Sequence, residues 1–160
     1  NDAEIIEICL IDITGRPLLN TLLKPTKPIP DEAIAIHGIT NEMVSTAPTW
    51  TDIHEQLLSF ITDKIIVIYN SDFDVRLIKQ TSEKYGLVSP QIKSVCAMAM
   101  YSYFWGEWDY RRDKWHWQKL SDAVKQQGVT IEGEAHRALA DCLMTLGVVN
   151  AVAANRNSTE

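Results

Sequence analysis

IIVIYNSDFDVRLI, from Ile65 to Ile78, changes its period halfway along. Ile65 to Tyr69 is a run of β-branched and aromatic residues, the pattern of a strand buried on both faces of a sheet. Past Asn70 the apolar residues recur as Phe73, Leu77 and Ile78, and the series continues to Tyr85 before Gly86 stops it. That is the spacing of a helix facing inward, with a glycine just beyond its end. A buried strand running straight into an amphipathic helix is the unit of an α/β fold. The junction holds Asn70, Ser71, Asp72 and Asp74, at the carboxyl end of the strand, where open α/β sheets bind ligands. One carboxylate is enough to cap a helix. The second, Asp74, follows Phe73 by one residue and can turn from the buried face into a cleft.

The flanking sequence repeats the alternation. EIIEICLIDI (Glu4–Ile13) and LLNTLLKP (Leu18–Pro25) read as two strands around the turn Thr14-Gly15-Arg16-Pro17. A Pro-rich stretch from Lys24 leads to a short helical turn at Asp31. Thr49 and Asp52 have capping-box spacing and open a helix with the buried stripe Ile53, Leu57, Phe60 and Ile61. Further helices are expected near Leu120–Gln127, closed by Gly128, and over roughly Arg137–Ala154. With no repeat, low-complexity tract or linker, 160 residues make one domain, residues 1–154, with 155–160 as a polar tail. The fold class is α/β, a mixed sheet flanked by helices.

Composition narrows the function. A net charge of -6 argues against indiscriminate coating of nucleic acid, yet leaves room for an acidic site neutralised by bound metal. Cys9, Cys96 and Cys142 lack paired spacing and sit in apolar surroundings, which suits buried thiols of a reducing, cytoplasmic setting better than disulfides or zinc. No apolar stretch comes near the about 20 residues of a spanning helix, so no membrane association is expected.

A second constellation is GEAHRALADCLMT, Gly133–Thr145. On a helical wheel Leu139, Cys142, Leu143, Leu146 and Val149 form one apolar face. Asp141 falls on another, in line with Val148 and Val152. A carboxylate heading an apolar stripe needs a partner. Two are open: Arg137, four residues earlier, as an exposed helical pair, or a metal ion. His136, at the loop-to-helix boundary, reads either as a surface imidazole or as a base. Two acids at element junctions with an imidazole nearby favour metal-assisted hydrolysis.

These motifs resemble the DEDDh family of 3′–5′ exonucleases, which includes the proofreading subunits of replicative polymerases. The matching residues are IIEI (Ile5–Ile8), HGIT (His37–Thr40) with the following NEMV and AP, YNSDFDVRLI (Tyr69–Ile78) and AHRALADC (Ala135–Cys142). They run in the family's order over nearly the whole chain. The specific part is N-x-x-F-D followed at this distance by H-x-x-x-x-D. The resemblance implies a ribonuclease-H-like fold, Asp74 and Asp141 as metal-site acids, and His136 as general base. It also implies two Mg²⁺ or Mn²⁺ ions and a DNA substrate, single-stranded 3′ ends foremost. RNA, a polymerase partner and a homo-oligomer stay open. His37, Ile39, Asn70 and Phe73 are substrate contacts by the same resemblance. A catalytically inactive module of this fold, binding nucleic acid or protein, is the alternative.

Two features stand apart. The family's first motif, D-x-E on an opening strand, precedes IIEI by several residues. Asp2-Ala3-Glu4 has the letters but abuts IIEI, so it reads as a turn, and the expectation is a longer polypeptide carrying that strand upstream. The segment YFWGEWDYRRDKWHWQKL (Tyr103–Leu120) resembles an insertion in one bacterial and phage branch. Its Trp105, Trp108, Tyr110, Trp115 and Trp117 alternate with Arg111, Arg112 and Lys114. They suit stacking on unpaired bases or packing as a lid equally well.

Overall fold

A computed structural model describes residues 3–130 and 136–157. The chain opens with an antiparallel hairpin, β1 (Glu7–Ile11) and β2 (Pro17–Leu22), in which Glu7 faces Leu22 and Leu10 faces Leu19. Asp12 closes the turn by accepting from the Thr14 N–H at 2.8 Å and the Arg16 N–H at 3.1 Å. Gly15 completes it with φ 88, a left-handed backbone that favours glycine.

Three helices follow, α1 (Asp31–His37), α2 (Asn41–Val44) and α3 (Trp50–Ile61). The capping box forms, with Asp52 accepting from the Thr49 N–H at 2.7 Å. The α3 stripe of Ile53, Leu57 and Ile61 is joined by Trp50 and buries against Ile8, Leu19 and Leu23, while Phe60 is only partly covered. Each fully buried side chain of this size contributes about 1.5–3 kcal/mol. Trp50 also ties α3 to the next layer, its indole N–H donating to Ser82 at 3.1 Å.

Next comes the strand–helix–strand unit β3 (Ile65–Ile68), α4 (Ser71–Lys84) and β4 (Lys93–Cys96), with β3 and β4 parallel and Ile68 opposite Cys96. The rest is α5 (Ala97–Trp105), a small hairpin β5 (Trp108–Asp109) and β6 (Lys114–Trp115), α6 (Leu120–Gln126) and α7 (Ala138–Asn157). A further core of Tyr101, Ala123 and Val148 joins α5, α6 and α7 and covers Tyr69.

Several expectations change. The mixed sheet is present as separate two-strand ladders, so among the described residues β1 and β3 each keep an unpaired edge. β3 is not covered on both faces: Ile65 is 71% and Val67 50% exposed, because the strand pleat sends alternate residues to a side that no described element covers. The cysteines are half-buried rather than buried. On α7 the deeply buried residues are Ala140 and Val148, the latter on the Asp141 line, whereas Val149 is exposed. By length and composition Ala138–Asn155 is apolar enough to cross a membrane, contrary to expectation, but the helix packs on β1, β2, α5 and α6. It also runs into the expected tail, whose last residues, 158–160, lie outside the described ones, as does Asp2.

Candidate active site

The junction between β3 and α4 turns on Asn70, which takes φ 65. Asparagine tolerates this left-handed conformation better than most side chains. Asn70, the N-cap residue of α4, makes no side-chain cap hydrogen bond. The Cys96 thiol meets the amide N–H groups instead. Burial pushes that thiol up, but the N–H groups of Ala99, Ser71 and Asn70 and the Ser71 hydroxyl together hold it below its usual value.

Asp74 then lies one helical turn in and faces Asp141 from the first turn of α7. Burial and the charge of Asp141 push the Asp74 carboxyl up to about 6. Burial also raises Asp141, while His136 pulls it down through its charge and backbone N–H, and Glu7 pushes it up. Cys142 senses the pair as well: burial, Cys9, Asp141 and Asp74 raise its thiol to about 12. The two acids therefore lie close enough to feel each other's charge, and exposed His136 acts on Asp141 from the turn before α7. His136 also takes a left-handed φ of 66, so both turns that aim the site residues are held in a sparsely populated backbone region.

Arg137 is not the partner of Asp141. Its guanidinium binds Glu7 on β1, with Nε at 3.1 and 3.2 Å from the two carboxylate oxygens and Nη2 at 2.9 Å from Oε1. The Ala138 N–H donates to the same carboxylate at 3.0 Å. Glu7 thus caps α7 from another element and fixes the helix start on β1. Its one sequence signal was a charge inside the apolar run EIIEI.

The donor chemistry fits hard divalent cations, which prefer carboxylate oxygen. Asp74 is disturbed only by burial and by a like charge, the state a bound cation relieves. Two donors are present; among the described residues no third His, Cys, Asp or Glu completes a cluster. Glu7 is held by Arg137, and Glu4 by Lys84 at 2.6 Å. Asp2, Glu132 and Glu134 lie outside the described residues.

The strain on Asp74 has a measurable sign. Its folded-state value lies above the ordinary 3.8, so between about pH 4 and 6 the folded chain binds more protons than the unfolded one, and stability falls as pH rises. Asp74→Asn removes that cost. Its melting temperature in EDTA at pH 7 should exceed that of the unsubstituted protein by a stability on the order of 2 kcal/mol, allowing for solvent access. Near pH 3.5 the difference should vanish. Scanning calorimetry at both pH values checks it.

The substrate candidates divide. Asn70 stands at the junction itself. Phe73, expected to face inward, is 48% exposed beside Asp74, with Arg76 over its ring at 5.7 Å. Ile39 is 1% exposed between Ile29 and Val44, so its side chain serves the core and is withdrawn as a substrate contact. His37 is half-buried and accepts from the Ile39 N–H at 3.0 Å. Among the described residues no hydrogen bond or ion pair links it to Asp74 or Asp141.

Residues 1–149 match the RNase_T family, described as exonuclease. A relative from Escherichia phage 186, named as an uncharacterized exonuclease, is 54% identical over 160 residues, covering 96% of this chain and 81% of that protein. The DNA polymerase III epsilon subunit of Pasteurella multocida is 31% identical over 87 residues, 52% of this chain and 34% of the longer subunit. Among solved structures, exonuclease X in complex with 5′ overhanging duplex DNA superposes with a TM-score of 0.70 at 23% identity. It covers 98% of this chain and 86% of its own.

Proposed function

Since the chain belongs to the DEDDh-type exonucleases, nuclease hydrolases of ribonuclease-H-like fold, we propose that it releases mononucleotides from the 3′ ends of DNA. Single-stranded ends are the preferred substrate, and Mg²⁺ or Mn²⁺ the metals. The observation that carries this is the facing pair Asp74 and Asp141, raised by burial and mutual repulsion with an imidazole alongside.

Asp74 and Asp141 would hold the divalent metal on which this family relies. Divalent cations bound there supply charge neutralisation at the scissile phosphate and a water of lowered pKa. His136 takes the proton from the attacking water, a role that its exposed position at the cleft edge allows. Asn70 orients the terminal nucleotide, and the exposed face of Phe73 receives its base. His37 lies further out along the strand.

An oligonucleotide labelled at either end tests the proposal. With Mn²⁺, a 5′ label should give a ladder that shortens with time, and a 3′ label should appear at once as mononucleotide. EDTA should stop both. A ladder from the 3′-labelled strand with mononucleotide from the 5′ label would reverse the polarity and remove the proposal.

A further inference from the structure

We propose that the β5–β6 hairpin is a grip for the unpaired part of a nucleic-acid strand whose end lies at the Asp74–Asp141 cleft. This rests on the exonuclease reading above and extends it to a second contact region.

The hairpin sorts its aromatic residues into a frame and a surface. Trp108 and Trp115 meet edge to face with ring centroids 4.9 Å apart, and Tyr103 packs on Trp115 at 5.6 Å. Trp105 stacks on Tyr101 at 6.3 Å. The Trp108–Trp115 and Tyr103–Trp115 contacts stiffen the two short strands, which would not hold alone, while the Trp105–Tyr101 stack lies within α5. Tyr110 and Trp117 lie outward, 90% and 54% exposed, and Tyr103, although packed on Trp115, also keeps 65% of its surface exposed. Lys114 lies over the Trp117 ring at 4.0 Å, placing a cation against a flat apolar face. Asp109 pins the tip by accepting from the Arg111 and Arg112 N–H groups at 3.0 and 3.2 Å.

Charge points to the same occupant. From Glu107 to Lys119 four exposed cations, Arg111, Arg112, Lys114 and Lys119, stand against three acids, Glu107, Asp109 and Asp113, with Arg112 paired to Asp109 at 3.7 Å; this leaves a small positive excess in a chain of net charge -6. Most of this protein repels a polyanion; this hairpin attracts one. An acidic protein surface would use the cations but leave the rings idle. A duplex hides its base faces. An unpaired strand uses both, bases on the rings and phosphates on the cations.

The root of the hairpin is fastened to the strand that leads into the Asn70 junction. The Tyr69 hydroxyl donates to the Gln118 carbonyl at 2.8 Å, one residue before Asn70. Gln118 in turn donates to Glu107 at 3.3 Å, and His116 meets the same carboxylate at 3.1 Å. The two stems of the hairpin are thereby joined and fastened to the end of β3.

Fluorescence anisotropy with a labelled 12-residue oligo-dT, in EDTA so that nothing is cut, tests the grip apart from the chemistry. The double variant Tyr110→Ala/Trp117→Ala should bind the single strand about tenfold more weakly or worse, given the loss of a stacked base, and bind a duplex of equal length as before. Arg111→Ala/Arg112→Ala should weaken both and flatten the salt dependence. Hydrolysis of thymidine 5′-(p-nitrophenyl phosphate) with Mn²⁺, too small to reach the hairpin, should be unchanged in both variants. Oligo-dT affinity in the aromatic variant equal to that of the unsubstituted protein overturns the grip, as does an equal loss on duplex. Hairpin-dependent binding without hydrolysis of any substrate would leave the grip standing and remove the exonuclease reading instead.

Discussion

Asp141→Asn should leave the protein folded and lower its turnover by about 10³-fold, the order expected when several kcal/mol of charge stabilisation is lost from a metal-assisted transition state. The substitution keeps the shape of the side chain. It removes one of the two negative charges that face each other across the cleft, where burial and Glu7 already hold the carboxyl above its ordinary range. Since that charge strains the metal-free fold, the variant should melt no lower than the unsubstituted protein at pH 7. A fall in activity with an unchanged or higher melting temperature separates chemistry from unfolding. Mononucleotide release with Mn²⁺, measured beside calorimetry on the same preparation, gives both numbers. Full turnover in Asp141→Asn, with contaminating nucleases excluded, would end the assignment of this cleft as the active site.

The second large effect belongs to His136. Here the substitution must respect the backbone, because φ is 66 at this residue. Alanine there would add strain, whereas asparagine accepts the left-handed region. His136→Asn should reduce turnover by about 10²–10⁴-fold, the usual contribution of a general base, with Mn²⁺ affinity nearly intact. The pH dependence carries the distinction. The limb over which the rate of the unsubstituted protein rises with pH should disappear in His136→Asn. A loss of rate with the limb retained would assign the proton to another group.

What could be read from the sequence was what neighbouring residues decide among themselves. The bend at Asn70, the Thr49–Asp52 box and the glycine stops after α4 and α6 each depend on a few consecutive side chains, and each is where spacing put it. The fate of Ile39 was different. HGIT has the look of an exposed loop, but the burial of Ile39 is set by Ile29 and Val44, which no local pattern brings together. The apolar run of β3 likewise says that a strand forms and nothing about what lies on top of Ile65 and Val67. α5 was hidden because AMAMYSYFW is apolar nearly all round and shows no stripe of period 3.6. In the aromatic segment the letters showed rings interleaved with cations but not which rings pack: Trp108 and Trp115 hold the hairpin together, and Tyr110 and Trp117 face outward.

The clamp between Glu7 and Arg137 joins residues 130 positions apart, and the cleft exists only once α7 has settled on β1. Such a contact forms late, since a long loop must close before it brings any gain. During synthesis the first hairpin and the β3–α4–β4 unit emerge and organise while Asp141 is still to be made. A nascent copy, or one whose last helix has peeled away, carries Asp74 with nothing opposite. The capacity to cut nucleic acid therefore arrives with the final docking step of biogenesis. It is also the first thing surrendered when the protein begins to come apart.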